Sequence, residues 1–206
     1  MQTEKKLAAD PYNMIITGVG GQGNVLASRL LGNMLMEQGF QITIGETFGA
    51  SQRGGSVMSH LRASGRTDVS PQIPRGTAHL IVSLEPTEAL RVLKDYGNDK
   101  VFVLCNMRPI HAIAVISGEV QYPETAQLQQ SIGALSCKAW FVNATEAAMA
   151  MGNPIFSNVM LVGALTATNL LPLTRENFTK VIARMVPGDK VDLNLQAFDT
   201  GHDLIY

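Results

Sequence analysis

A glycine-rich turn near the amino terminus constrains the fold of this chain more than any other segment. Gly18, Gly20 and Gly23 form a GxGxxG pattern. It follows a short apolar run at residues 14–17 and precedes a helical pattern of apolar side chains at residues 25–37. In such a unit the first glycine permits the turn, the second lets backbone approach an anion, and the third lets the helix pack closely. The pattern predicts strand, turn and helix, with the turn used either for a nucleotide or for packing.

The rest of the chain alternates between short apolar runs and segments with helical spacing. Strands are predicted at residues 40–44, 57–62, 79–84, 100–105 and 139–143, and helices at 85–96, 124–135, 158–171, 174–185 and 191–200. This alternation is typical of an α/β domain. We expect one Rossmann-like α/β domain at residues 13–206, with a mostly parallel sheet flanked by helices, after a polar leader at residues 1–12.

Two of these elements carry a more specific prediction. The strand at residues 57–62 alternates short polar with larger side chains, which suggests an edge of the sheet. The helix at residues 158–171 is apolar nearly all the way round, so we expect it in a core or an interface.

Composition excludes several functions. A net charge of −1 gives no basic surface of the kind that nucleic acids attract. No apolar run reaches the roughly 20 residues that span a bilayer, and the polar start lacks a signal core, so we expect a cytoplasmic protein. Cys105 and Cys137 lie outside any CxxC pattern, which argues against a metal or iron–sulfur site in this chain. The low charged share of 16% suggests surface covered by a partner.

A second glycine-containing run, SQRGGS at residues 51–56, has no large apolar side chain to bury. Arg53 is flanked by Gln52 on one side and by Gly54 and Gly55 on the other. Because glycine gives no steric cover, the guanidinium can bind a carboxylate or phosphate through two hydrogen bonds. The alternative is an arginine that only holds its own loop.

A dinucleotide site also needs an acidic residue at the end of the second strand, about 20 residues after the turn. Glu46 is the nearest one, but Gly45 separates it from the predicted strand. The position of Glu46 therefore supports a dinucleotide-binding site less strongly than the glycine pattern does.

Taken together, the two glycine-rich segments resemble a known family. GVGGQGNVLASRLLG followed by ETFGASQRGGSVMSHLR is similar to the gamma-type subunit of 2-oxoacid:ferredoxin oxidoreductases, and most similar to the beta (small) subunit of the indolepyruvate type. Further similar segments, in the same order, are SPQIPRG, LEPTEALR and NVMLVGA, at residues 70–76, 84–91 and 158–164.

The resemblance implies a subunit of a larger enzyme that is inactive alone. Such an enzyme oxidatively decarboxylates a 2-oxoacid, here an arylpyruvate, attaches the acyl group to coenzyme A and passes electrons to ferredoxin. Thiamine diphosphate, magnesium and iron–sulfur clusters are expected on a large partner subunit, and none of them on this chain alone. A homodimer of the isolated chain is also possible.

The resemblance and the two runs together define the expected site, with no catalytic residue and no metal ligand on this chain. The residues expected to bind coenzyme A or substrate are Gly20, Gly21, Gln22, Gly23, Glu46, Ser51, Gln52, Arg53, Gly54 and Gly55. For Arg53 the possible targets are a coenzyme A phosphate, the substrate carboxylate or a carboxylate of the partner. The alternatives are an independent NAD- or FAD-binding module and a purely structural scaffold.

Four other polar residues are expected to have structural roles. His60 and His79 are predicted to pack in or at the end of their strands. Glu85 and Arg91, at either end of two helical turns, are predicted to cap a helix or to lie in an interface.

Overall fold

The computed structural model describes residues 7–47, 55–111 and 113–205. Its strands are β1 (Tyr12–Val19), β2 (Gln41–Thr47), β3 (Ser56–Ser64), β4 (Leu80–Ser83), β5 (Phe102–Asn106) and β6 (Lys138–Val142). Its helices are α1 (Asn24–Met36), α2 (Pro86–Tyr96), α3 (Ile113–Ile116), α4 (Thr125–Ala134), α5 (Ala144–Ala150), α6 (Phe156–Ala167), α7 (Arg175–Met185) and α8 (Gly188–Asp203).

The six strands form one sheet in the order β2-β3-β1-β4-β5-β6. The neighbours β1, β4, β5 and β6 are parallel, whereas β3 is antiparallel to both β1 and β2. All strands except β3 therefore point the same way. The predicted α/β class with a mostly parallel sheet is confirmed.

The prediction that β3 is an edge strand is wrong, because it lies between β2 and β1. Ser59 and His60, which belong to the alternation that suggested an edge, are buried, and so is Ser64 near the end of β3: each is at most 2% exposed. Backbone amides that follow β3 in the chain donate to two of them, whereas His60 Nε2 is buried without a hydrogen-bond partner among the described residues. His60 Nδ1 accepts a hydrogen bond from the Ile73 amide, and Ser64 Oγ accepts one from the Arg66 amide. Polar periodicity alone cannot separate such a strand from a solvent-exposed one.

Helices cover both faces of the sheet. On one face lie α1 and α5 to α8, and on the other lie α2 and α4. The prediction that the helix after residue 158 is buried is confirmed, since nearly all of α6 is buried. It packs on α8 at a very short distance. A Cβ at Gly163 would lie 2.1 Å from the Phe198 carbonyl oxygen, and one at Gly201 would lie 2.0 Å from the Met160 carbonyl oxygen.

The neighbouring strands β1 and β4 send their following helices to opposite faces: α1 to one, α2 to the other. In open α/β sheets, ligands bind at such a point, beyond the carboxyl ends of the strands. The glycine turn follows β1 directly and therefore lies at this position in the fold.

Candidate functional site

Side chains of the chain itself pack into the glycine turn. Gln22 folds back over it: Oε1 accepts a hydrogen bond from the Val19 amide at 2.7 Å, and Nε2 donates to the Leu84 carbonyl at 3.1 Å. A Cβ at Gly18 would lie 2.8 Å from both Gln22 Oε1 and Asn24 Oδ1. A larger residue at Gly18 would therefore displace the Gln22 and Asn24 side chains that pack into the turn.

The third glycine joins the turn to α6. Gly23 has a left-handed φ of 87°, which favours glycine. A Cβ there would lie 2.6 Å from Asn158 Nδ2, and that nitrogen donates to the Gln22 carbonyl at 2.9 Å. Gly18 and Gly23 therefore serve the packing of the turn. At Gly23 the neighbouring group is Asn158 of α6 and not a ligand.

Gly21 has different surroundings. Its φ is 102°, and a Cβ there would meet nothing within 4 Å. With Gln22 and Gly23 it lines a cavity of about 430 Å³, a volume in the range of small-molecule sites. The rest of the lining comes from the segment after β5 and from the region around α5 and α6: Arg108, Ile110, Thr145, Met149, Asn153, Pro154, Ile155 and Ser157.

Arg108 gives this cavity positive charge. Its side chain is about half exposed, and Nη1 lies 3.5 Å from Glu146 Oε1. Ion pairs between exposed groups contribute little stability, so an anionic ligand can replace Glu146. The first N–H groups of α1 lack intrahelical acceptors and add partial positive charge beside Gly23. Arg108 was not predicted, although its place just after a buried strand could have indicated it.

Asn106, buried at the end of β5, fixes one wall of the cavity. Its Nδ2 donates to the Leu84 carbonyl at 3.1 Å and to Thr145 Oγ1 at 2.9 Å. Its Oδ1 accepts from the Thr145 amide at 3.3 Å. Because Thr145 lines the cavity, these bonds hold β4, β5 and the start of α5 in one arrangement there.

The last residues of the SQRGGS run meet the glycine turn. The Gly20 amide donates to the Gly55 carbonyl at 2.8 Å. The Val57 carbonyl accepts from Thr17 Oγ1 and from Asn24 Nδ2, at 3.1 Å each. The structure thus brings together Gly20 and Gly55, which the sequence placed in two separate runs.

A carboxylate on α2 binds the same strand end. Glu88 Oε1 accepts a hydrogen bond from Ser56 Oγ at 2.5 Å, and Oε2 accepts one from Arg91 Nε at 2.8 Å. Arg91 Nη2 lies 2.7 Å from the same Oε2. Arg91 therefore pairs within its own helix, and Glu88 connects α2 with the start of β3.

Glu85 caps α2, as predicted. Its carboxylate is fully buried, and Oε2 accepts from the Glu88 amide at 2.9 Å and from Thr87 Oγ1 at 2.6 Å. The Tyr122 hydroxyl donates to Oε1. Burial, together with this bond to Glu85, raises the pKa of Tyr122 far above its usual value, so the hydroxyl remains a donor.

The predicted binding residues are only partly brought together. The members found at this edge of the sheet are Gly20, Gly21, Gln22, Gly23 and Gly55. Ser51, Gln52, Arg53 and Gly54 lie outside the described residues. Glu46 pairs with Ser59, which pairs with Ile16, four residues before Gly20. Two strand spacings and four residues of rise put Glu46 roughly 16 Å from Gly20.

The predicted packing roles of His60 and His79 are confirmed. Each accepts a backbone hydrogen bond at Nδ1, from the Ile73 amide at 3.1 Å and from the Asn13 amide at 2.9 Å. Burial lowers the pKa of both imidazoles, so both favour the neutral form that can accept these bonds.

Within residues 7–47, 55–111 and 113–205, no three His, Cys, Asp or Glu side chains come close enough to hold a metal ion. In the same residues, no helix is both long enough and apolar enough to cross a membrane.

Comparison with curated proteins gives close relatives over almost the whole chain. An indolepyruvate oxidoreductase subunit IorB from Pyrococcus horikoshii is 39% identical over 191 residues, covering 92% of this chain and 94% of the relative. The IorB subunit of Methanothermobacter thermautotrophicus is 30% identical over 190 residues, covering 92% of this chain and 95% of that relative.

Solved structures share the fold at low identity. The gamma subunit of the keto/oxoacid ferredoxin oxidoreductase of Geobacter sulfurreducens has a TM-score of 0.66 at 20% identity, covering 94% of this chain and 98% of that one. Subunit PORC of the Thermotoga maritima pyruvate oxidoreductase has a TM-score of 0.70 at 19% identity, covering 95% of this chain and 97% of that one. The 2-oxoglutarate:ferredoxin oxidoreductase of Magnetococcus marinus gives 0.72 at 17%, covering 96% of this chain and 31% of that longer one.

The family profile described as pyruvate ferredoxin/flavodoxin oxidoreductase matches residues 13–204. The chain therefore belongs to the pyruvate ferredoxin/flavodoxin oxidoreductase family, and it is a subunit of a 2-oxoacid:ferredoxin oxidoreductase.

Proposed function

We propose that this chain is the small subunit of an indolepyruvate-type enzyme in the cytoplasm. The complex would oxidatively decarboxylate an arylpyruvate, transfer the acyl group to coenzyme A and pass two electrons to ferredoxin. The observation that carries the proposal is the 30–39% identity to indolepyruvate oxidoreductase subunits over 92% of the chain or more.

An iron–sulfur cluster does not fit the cysteines of this chain. A cluster is held by about four cysteine thiolates, whereas this chain has two cysteines, Cys105 buried and Cys137 exposed. We assign the iron–sulfur clusters, and with them thiamine diphosphate and its magnesium ion, to a large partner subunit. No chemical step is assigned to a side chain of this subunit.

The role of this chain is to bind and orient coenzyme A at the cavity beside the glycine turn. Arg108 and the N–H groups at the start of α1 supply the positive potential that a phosphate group needs. Arg53, from the SQRGGS run, is the second proposed ligand. Its target is a coenzyme A phosphate, the 2-oxoacid carboxylate or a partner carboxylate.

Exposed apolar side chains around the cavity support the proposed large partner. Ile110, Met149 and Ile155 line the cavity and are 37%, 53% and 52% exposed. On α3, Ile113 and Ile116 are 85% and 74% exposed. Exposed apolar surface of this kind is typical of a protein interface, so we propose that the large subunit covers this face and closes the cavity.

A purely structural subunit is the second candidate, because Gly18 and Gly23 are explained by contacts with the chain's own side chains. An independent NAD- or FAD-binding module has less support. Strand β3 separates β1 from β2, so Glu46 is too far from the glycine turn to bind a ribose there.

The test is to purify the complex from its native source, or to co-express both subunits, and to assay indolepyruvate, phenylpyruvate and pyruvate with coenzyme A and ferredoxin. We expect turnover by the complex with arylpyruvates and none by this chain alone. Arg108→Ala should raise the KM for coenzyme A about tenfold to a hundredfold, the effect of losing a charged hydrogen bond. Arg175→Ala, which removes an exposed ion pair with Asp199 on α8, is the matched control and should leave that KM unchanged.

Two results would contradict the proposal. Turnover of a 2-oxoacid by the purified chain would refute the division of labour between subunits. Tight binding of NAD or FAD to the isolated chain in a calorimetric titration would favour the dinucleotide module. If the complex is active and Arg108→Ala and Arg53→Ala both keep the wild-type KM for coenzyme A, the scaffold role is correct.

A further inference from the structure

The residues at the entry to β3, Gly55 to Val57, are held by more than the pairing of strands. The Gly55 carbonyl accepts from the Gly20 amide at 2.8 Å, and Ser56 Oγ donates to Glu88 at 2.5 Å. The Val57 carbonyl accepts two side-chain hydrogen bonds at 3.1 Å, one from β1 and one from α1. Three consecutive residues are thus fastened to β1, the glycine turn, α1 and α2.

Glu88 is the charged centre of this arrangement. It is only 7% exposed, and a buried carboxylate is stable only when cations and donors satisfy it. One oxygen is used by Ser56 and the other by Arg91, while Thr17 Oγ1 lies 3.5 Å from the latter oxygen. Neutralising Glu88 would weaken the hold on Ser56 and leave Arg91 without its ion-pair partner.

A short path connects Glu88 to the cavity. Ser56 follows Gly55, whose carbonyl binds the amide of Gly20. Gly21, the next residue, lines the cavity and has an unhindered, left-handed backbone. A displacement of Ser56 would therefore reach the backbone that lines the cavity through one hydrogen bond.

We propose that Glu88 is a positioning residue, which fixes the start of β3 and through it the Gly20–Gly21 backbone, and so sets the affinity of the assembled enzyme for coenzyme A. This inference rests on the proposed function, because it takes the cavity as the coenzyme A site. Glu88 itself lies outside the lining of the cavity and acts only through Ser56 and Gly55.

The experiment uses the complex with its large subunit and two pairs of variants. Glu88→Gln keeps the size of the side chain but replaces one acceptor oxygen by a donor. Ser56→Ala removes the hydroxyl, whereas Ser56→Thr keeps it at an exposed position. Asp199→Asn, which weakens the Arg175–Asp199 pair between α7 and α8, is the control for the loss of an ion pair elsewhere.

We expect Glu88→Gln and Ser56→Ala to raise the KM for coenzyme A about tenfold, which corresponds to about 1.4 kcal/mol of binding free energy, the size of one lost hydrogen bond. At saturating coenzyme A, kcat should stay within about twofold, since no reacting group is altered. Ser56→Thr and Asp199→Asn should keep the wild-type KM. A purely structural role would instead lower the yield or melting temperature of the complex with KM unchanged.

Arg108→Ala, measured in the same assay, separates the inference from the proposed function. If Arg108→Ala raises the KM for coenzyme A while Glu88→Gln and Ser56→Ala do not, the cavity binds coenzyme A and the role given to Glu88 is wrong. If none of the three changes that KM, coenzyme A binds elsewhere and both proposals fail. A loss in Ser56→Thr as large as in Ser56→Ala would also overturn the inference, because the hydroxyl would not be the cause.

Discussion

Replacing Gly163 by alanine should force α6 and α8 apart. A Cβ at this position would lie 2.1 Å from the Phe198 carbonyl oxygen and 3.0 Å from the His202 amide nitrogen. Both are backbone atoms, so rotation of a side chain cannot relieve the overlap. A carbon–oxygen contact needs about 3.4 Å, and the two helices would therefore have to separate locally by roughly 1.3 Å.

The energetic cost follows from that distance. A gap of about 1 Å already removes up to half of the dispersion energy between facing atoms. Overpacking in a core costs typically about 1–3 kcal/mol, and a collision between backbones belongs at the upper end. Alanine returns up to about 1 kcal/mol because it favours the helix more than glycine does. We therefore expect Gly163→Ala to lower the free energy of unfolding by about 2 kcal/mol.

Urea denaturation followed by circular dichroism measures this change in free energy. The melting temperature should fall by about 5 °C. The control is Gly133→Ala in α4, where a Cβ would meet nothing within 4 Å. That variant should gain about 0.5–1 kcal/mol, because only the helix-propensity term remains. The same substitution in two helices should thus change the free energy of unfolding in opposite directions.

Gly201→Ala provides a second check. Its Cβ would lie 2.0 Å from the Met160 carbonyl oxygen, across the same pair of helices. Because one separation of the helices relieves both overlaps, the double variant with Gly163→Ala should lose less than the sum of the single losses. If Gly163→Ala were as stable as the wild-type chain, or the losses were strictly additive, the close approach of α6 and α8 would be refuted.

Lowering the pH from 7 to 5 should destabilise the chain. Burial lowers the pKa of His60 in the native chain. In the unfolded chain this histidine has an ordinary pKa of about 6.5 and so binds a proton that the native chain does not. The free energy of unfolding of His60→Asn, measured with urea, should therefore depend less on pH. Tyr122→Phe, which removes a donor from the buried Glu85 carboxylate, should cost about 1–3 kcal/mol in the same assay, and an unchanged midpoint would contradict this. Burial raises the pKa of Cys105, so iodoacetamide should label Cys137 alone in native protein and both cysteines in urea, as read by mass spectrometry.

Local patterns predicted the main elements of the fold because each pattern reflects one buried face. The apolar run at residues 14–17 is the centre of β1, and the helix predicted at 174–185 is α7. Two short helices were missed. α3 has four residues and no buried side chain, so no periodic face marks it. α5 has seven residues, with only Ala144 and Ala148 buried, too few for a recognisable pattern.

The candidate site was less predictable than the fold. The two glycine-rich runs meet at one edge of the sheet, where the Gly20 amide donates to the Gly55 carbonyl. Arg108 was not predicted, because its place just after a buried strand is its only sequence signal and no motif accompanies it. Glu88 was not predicted either, because its partner Ser56 lies 32 positions away in the chain.

The sequence by itself determined the strand–turn–helix unit at the glycines, the α/β class and the family, because each depends on neighbouring residues or on short ordered segments. Only the tertiary structure decided how the glycines are used. Gln22 binds the Leu84 carbonyl 62 positions away, and Asn158 binds the Gln22 carbonyl 136 positions away. It also placed β3 inside the sheet. Contacts of this range form only when the whole chain has packed, so no local pattern of residues encodes them.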